Sequence, residues 1–570
     1  MSYLDSLNRF ISNPTNLDIK RSTFKRDSSH KTTFKAGKLI PIYCDEILPG
    51  DSVSMDVASL IRSITPAVPV MDNAFLDIYF FWVPSRICTA HPGDWQKIFG
   101  ENQSGFWAQA QEYTLENTGN TERLEEYDSY CIGSYLGLPQ YVYPDDADTF
   151  SKQINKLPLN AYVLIWNEWF RDQNVQAPKS FGSVFYSSGV FDVNKIHDYF
   201  TSALPAPQKG QSVLLPIGEF APVITRTVSI PHGAIIQPPA PGVRFMSDQG
   251  APRTGETEEI LGLTGQAISP KYLIGSDVLS LKNGTTGEFI TGGKVDITGS
   301  KIVPENLWAD LTQATAVSVN QMREAFAIQR LLEKDARGGS RYREMLKAHF
   351  GVSIPDNTVQ VPEYLGGKRI PLNMQQVLQN SETNTSPLGT TGAFSNTFAK
   401  NKLFVKSFTE YGYIMGVACV RCEQSYSQGL PKIFTRNRRF DMYHPVFANL
   451  GEQAVMKSEL YVPDNYGVSH FSAVFGYQEA WAEYRYKNNI VSGELAPNSG
   501  NTILDSWTYT NNFSSQPTLN SDFMEQPGSQ FDKTFVIDNS DYHFIGDFYF
   551  DCLMTRPMPL YSIPGLIDHH

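Results

Sequence analysis

The segment YGYIMGVACV, residues 411–420, decides the fold. Read with a period of two, both of its faces are apolar, so it is a strand covered on both sides rather than one lying on a wet surface. Working outward, further strand-like runs collect at the two ends of the chain. Near the start they are 39–48, 52–57 and 74–83 (AFLDIYFFWV), punctuated by Pro49-Gly50-Asp51. Near the end they are 403–426, 534–538 and 544–553 (FIGDFYFDCL). Early and late strands must therefore pair across hundreds of intervening residues. An antiparallel sandwich or jelly roll with very long insertions fits that arrangement, and a βαβ repeat does not.

Helical patterns occupy the middle. In LPLNAYVLIWNEWFRDQ, the residues Leu159, Tyr162, Val163, Trp166, Trp169 and Phe170 fall on one stripe at three- to four-residue spacing. VNQMREAFAIQRLLEKDARGGSRYREMLKAHFG reads as two helices broken at Gly338-Gly339, with Met322, Phe326, Met345 and Leu346 facing inward. The segment 227–303 differs in kind: its prolines and glycines, with short β-like pieces such as GEFITGGKVDI, describe an inserted excursion built of hairpins.

Composition narrows the function. The 570 residues hold 35 Phe and 28 Tyr, more large anchors than a lone enzyme domain requires, which points to extensive subunit contacts. The longest charge-free apolar stretch, 411–420, falls far short of the roughly 20 residues that span a bilayer. The first residues lack the apolar run of a secretory signal. Six cysteines scattered over so long a chain form no disulfide framework and read as reduced, buried thiols. Net charge is −12, yet residues 1–40 carry eight basic groups against three acids. A basic segment on an acidic body suggests one surface facing a polyanion.

Motifs for chemistry fail one by one. Cys419 and Cys422 match C-x-x-C, but three residues along a strand point to opposite faces, so they cannot readily grip one metal. GEFITGGKV has one residue too many for a phosphate loop, and Val295 stands where Ser or Thr should hold magnesium. No G-x-G-x-x-G, H-E-x-x-H or G-x-S-x-G occurs. The ten histidines are dispersed, and acid pairs such as Asp145-Asp146 look like solvated turns. The expectation is no catalytic site, no metal site and no cofactor.

The segments that resist an enzymatic reading carry a resemblance. RSTFKRDSSHKTTFKAGKLIPIYCDEILPGDS, PVMDNAFLDIYFFWVPSRI, LPLNAYVLIWNEWFRDQN, QMREAFAIQRLLEKDARGGSRYREMLKAHFGV, EYLGG, YSQGLPKIFTRNRRFDMYHPVFANLGEQAV, YQEAWAEYRYK and RPMPLYSIPGLIDH resemble, in order, the major capsid protein of Microviridae. The long Gly/Pro-rich insertion is similar to that of the gokushovirus branch. The resemblance implies one mainly-β capsid domain over 1–570, an eight-stranded antiparallel jelly roll with long helix-containing loops. It implies self-assembly into a T=1 icosahedral shell around circular single-stranded DNA, in a virion assembled in the host cytoplasm. It further implies an internal scaffolding protein, a small basic DNA-binding protein and a host surface receptor as partners. A carbohydrate-binding jelly-roll module is the alternative, and an enzyme comes third.

Two sets of candidate site residues follow. In the basic arm 1–40, Lys20, Arg21, Lys25, Arg26, Lys31 and Lys35 are interleaved with Phe24 and Phe34, the mixture of charge and stacking surface that suits single-stranded nucleic acid. The alternative is that the rings anchor the arm on a neighbouring subunit and the charges pair locally. Arg436, Arg438 and Arg439 in TRNRRF are a second basic patch. In the insertion, Ile235, Ile236, Val243, Phe245, Ile260, Leu261 and Leu263 would be costly to expose on a lone loop, so a surface protrusion is expected in which three copies bury them around a three-fold axis.

Overall fold

The computed structural model describes residues 20–98, 115, 119–123, 129–139, 153–181, 189–211, 213, 223–225, 245–247, 278–282, 289–296, 302–304, 307–309, 319–356, 358–373, 376–378, 391–394, 396–463, 471–497, 504–536 and 542–561. The chain divides into two units, Met1–Gly210 with Leu332–His570, and Gln211–Leu331.

The first unit is built on two antiparallel sheets. Their strands are β1 (Ser22–Lys25), β2 (Ser28–Phe34), β3 (Ile40–Ile47), β4 (Ser52–Ser63), β5 (Ala74–Pro84), β6 (Glu363–Leu372), β7 (Asn396–Ser407), β8 (Gly412–Cys422) and β9 (Phe544–Arg556). One sheet has the order β1–β9–β4–β7, with β2 also paired to β9; the other runs β6–β5–β8–β3. From β2 onward every step of the chain crosses from one sheet to the other, except β5 to β6, which stay in the same sheet with residues 85–362 between them.

The first sheet alternates cleanly. Along β9 the even positions from Phe544 to Met554 are buried, while Ile545, Tyr549 and Leu553 are exposed. β4 repeats this with Val53, Met55, Val57 and Ile61 inward. The inward rings cross the gap: Tyr43 lies 4.8 Å from Phe550, and Phe80 lies 5.8 Å from Phe404. Fully burying a ring such as Phe80 or Phe550 stabilises the fold by about 1.5–3 kcal/mol.

The second sheet is covered on both faces, as the apolar run 411–420 demands. Nine consecutive residues of β8, Gly412 to Val420, are buried. The outer cover comes from α1 (Leu157–Ile165) and the wider π-type turn Trp166–Phe170 that continues it. Leu159, Tyr162, Val163 and Trp166 of the expected stripe are buried. Trp169 packs 5.5 Å from Phe81, and Phe170 packs 5.6 Å from Tyr79. Close approach fixes Gly416, where a Cβ would meet the Phe80 ring at 2.7 Å.

Some boundaries differ from the sequence reading. The run 403–426 is two strands, β7 and β8, that lie in different sheets, followed by the short strand Ser425–Tyr426. Within 534–538, the described residues hold only an isolated bridge from Phe535 to Pro66. The helices α2 (Val319–Arg337) and α3 (Tyr342–Phe350) do break at Gly338-Gly339, where Gly339 adopts φ +94°. Met322 and Phe326, expected to face inward, are 41% and 57% exposed, because among the described residues no layer covers that face of α2. Met345 and Leu346 are half-buried.

In the second unit the described strands pair in a nested series. Val223–Thr225 pairs with Leu307–Ala309, Phe245–Ser247 with Ile302–Pro304, and Val278–Lys282 with Phe289–Asp296, all antiparallel. GEFITGGKV therefore contributes a strand from Phe289 onward.

Candidate nucleic-acid interface

The basic arm is a sheet edge. β1 and β2 run antiparallel to β9, with Ser22 opposite Arg556 and Phe34 opposite Phe544. The Arg26 N–H bridges the gap between them by donating to the Cys552 carbonyl at 2.8 Å. Strand geometry then sorts the side chains by face. Phe34 turns inward, is fully buried and packs 5.6 Å from Phe544, so its ring belongs to the core. Phe24 is half-buried. Lys20 and Arg21 are exposed, and Arg21 donates to the Gly50 carbonyl and to Ser52 Oγ at 2.5 and 2.9 Å.

The other four candidate cations of the arm each meet a carboxylate of the same chain. Lys25 lies 2.9 Å from Asp27, Arg26 2.9 Å from Asp45, Lys31 3.4 Å from Asp547, and Lys35 3.3 Å from Asp532. The hydrogen bond to Asp27 holds the Lys25 ammonium above its usual range and, reciprocally, draws the Asp27 carboxyl below its own. Lys25 and Lys31 keep 70% and 71% of their side chains in solvent. Exposed pairs of this kind contribute roughly 0–1 kcal/mol and are screened by salt, so a phosphate can displace the carboxylate.

The outward face of the same sheet extends the patch. Across it, Lys31, Asp547, Leu60 and Phe398 fall in one row, and Ser29, Tyr549, Ala58 and Lys400 in the next. Phe398 is 69% exposed and Tyr549 is 45% exposed; Tyr549 donates to Asp27 at 2.9 Å, which ties it to Lys25. Phe398, Lys400, Lys402 and Tyr549 were not singled out from sequence. Period-two alternation within β7 and β9 was the available signal, but it becomes a shared face only once the register with β4 is known.

TRNRRF lies on a separate platform. Arg436 is mostly buried, pairs with Glu483 at 2.8 Å and stacks 4.3 Å above the Tyr484 ring. Arg438 and Arg439 are exposed beside the single turn Arg439–Asp441, where Asp441 accepts the N–H groups of Asn437 and Arg438 at 3.0 and 2.8 Å. These partners differ from those of the arm, so the two basic patches make separate contacts. In the insertion, Phe245 sits opposite Pro304. Ile235, Ile236, Val243, Ile260, Leu261 and Leu263 lie outside the described residues.

Among the described residues no group of three or more His, Cys, Asp or Glu side chains could hold a metal. Cys419 and Cys422 are both fully buried, and burial pushes each thiol up to about 12, far from a reactive thiolate. No helix among the described residues is long and apolar enough to cross a membrane.

Residues 12–566 match the family described as capsid protein (F protein). The chain is similar to capsid protein VP1 of Bdellovibrio phage phiMH2K, 37% identical over 96% of this chain and 95% of the relative. It is 35% identical to capsid protein VP1 of Chlamydia phage 1, over 98% of both chains, and 34% identical to capsid protein VP1 of Spiroplasma virus 4, over 94% of both.

Proposed function

The chain belongs to the phage capsid protein (F protein) family, and from that premise we propose that copies of it close a T=1 icosahedral shell around circular single-stranded DNA. Its role is structural, not enzymatic: it is a major capsid subunit, located in the virion.

The observation that carries the architectural part is the strand order. Counting β1 and β2 as one interrupted strand, the two sheets have four members each, and the chain passes between them at every step but one. That ordering supports an eight-stranded jelly roll. The loops 85–362 and 423–543 are far longer than a compact monomer requires; in a shell they supply contacts that two sheets alone cannot make.

For the interior we propose the uncovered sheet face and its edge. Lys20, Arg21, Lys25, Arg26, Lys31, Lys35, Lys400 and Lys402 offer charge, and Phe24, Tyr549 and Phe398 offer rings on which bases can stack. Arg438 and Arg439 form a second basic surface for the same polyanion. The unit holding 227–303 is proposed as an outer protrusion that meets its copies at three-fold axes and serves host attachment. An internal scaffolding protein and a small basic DNA-binding protein complete the proposed partners.

Electron microscopy of expressed protein, with scaffolding protein supplied if needed, tests the central claim. Closed particles of uniform size are the expected result. Protein that stays monomeric or forms only small oligomers under every condition would point instead to a binding module.

A further inference from the structure

One surface of the first unit is apolar and, among the described residues, uncovered. Residues 432–447 make three successive single turns, Lys432–Phe434, Arg439–Asp441 and Pro445–Phe447. They are pinned to the segment 481–484 beneath them. The Tyr443 ring lies 5.6 Å from Trp481 and 6.1 Å from Tyr484, Trp481 Nε1 donates to the Phe447 carbonyl at 3.1 Å, and Arg436 joins Glu483 and Tyr484. Outward from this platform stand Ile433 (65% exposed), Phe434 (70%), Phe440 (70%), Met442 (52%), Val446 (89%) and Leu450 (53%).

Leaving such groups in water is expensive, and here they are concentrated on fewer than twenty residues. Together these six side chains expose apolar area on the order of the ~300–600 Å² of the largest patch on an ordinary monomer, the size at which an exposed patch marks an interaction site. The composition matches an interface core: aromatic rings and Met at the centre, with the exposed arginines Arg438 and Arg439 beside them.

We propose that this platform docks against a second copy of the same chain and is one of the contacts between neighbouring subunits of the shell. The occupant is a copy because the chain belongs to a capsid protein family, so copies of it surround this face at high local concentration. The proposal rests on the capsid reading and adds to it the face that is used.

Hydroxyl-radical footprinting of wild-type protein, as assembled particles and as dissociated subunits, tests it directly. Phe440, Met442 and Tyr443 are expected to label at least ten-fold more slowly in particles. Val446→Glu should leave the subunit soluble, with unchanged circular dichroism and melting, while abolishing assembly at concentrations where wild type forms shells. Equal labelling in particles and free subunits, or normal shells from Val446→Glu, overturns the platform proposal and leaves the capsid reading intact. Protection of unassembled subunits on adding a second protein species also overturns it, because another protein then covers the surface. Wild type that never assembles, with or without partner proteins, overturns the capsid reading instead. Should Val446→Glu fail to fold, the wild-type footprint decides alone.

Discussion

His543 is sealed in the core between the two ends of the chain. Its Nε2 lies 2.6 Å from Asp532, and its Nδ1 accepts the Ala36 N–H at 3.2 Å, so the ring is neutral with its proton on Nε2. Burial pulls its pKa below the usual 6.5, outweighing the opposite pull of Asp532. The unfolded chain therefore takes up a proton near pH 6.5 while the folded chain does not. Stability falls as pH drops from that value toward the folded-state pKa, by up to about 1.4 kcal/mol per pH unit. Denaturant melts of subunits between pH 7.5 and 5 should show that loss. His543→Gln is expected to flatten the slope at a cost of about 1–3 kcal/mol at neutral pH, since the hydrogen bonds to Ala36 and Asp532 are weakened. An unchanged slope would show that other groups govern the acid response. None of this was legible in the sequence, where His543 is one of ten dispersed histidines and its partners stand 11 and 507 residues away.

At the scale of elements, legibility followed local pattern. β3, β4, β5, β8 and β9 were readable because their apolar residues alternate or run together. β6 was missed because EYLGGKRIPL carries two glycines and a proline. In the structure the pairing of β6 with β5 shifts by one residue between Tyr364 and Gly366, and Pro371 is tolerated because β6 is the edge of its sheet. The arm was read as a basic segment facing a polyanion and not as a strand, for a strand with alternating lysines looks the same as a loop until its partner is known. The Asp77 clamp was equally hidden. This fully buried carboxylate on β5 accepts two hydrogen bonds from Arg369 of β6, at 2.7 and 3.0 Å, and is paired with Arg421 of β8, fastening three strands from their outer side. Arg421 also donates to Tyr79 and to the Asn194 carbonyl. Asp77→Asn leaves a buried guanidinium without its counter-charge and should destabilise the subunit by about 3–5 kcal/mol in urea melts. A loss below 1 kcal/mol would mean that solvent reaches Arg421 freely.

On the scale of the whole molecule, the chain joins an acidic body to a basic edge, and the particle should register both. Neutralising Lys20, Arg21, Lys25, Arg26, Lys31 and Lys35 to Gln leaves the β1 and β2 backbone pairing intact. Shells should still form but hold less DNA, measured as the ratio of absorbance at 260 and 280 nm in purified particles; a full genome in such shells would remove the arm from DNA binding. The insertion is tested separately by deleting about fifty residues, roughly 242–293, from within it. Intact particles that no longer bind cells are the outcome expected of an attachment site. Unassembled protein would make the insertion a stiffener, and undiminished infection would rule out both roles.

The pairing of β1 and β2 with β9 bears on quality control. β9 lies between the arm and β4, bonded to both, yet among the described strands it leaves the ribosome last. A chain cut short before Phe544 has the arm at its start and nothing to receive it, and its first sheet lacks the strand between arm and β4. Such fragments cannot pass for finished subunits, so a translation error late in the message removes one molecule from the pool instead of planting a flawed tile in a lattice where every position must match.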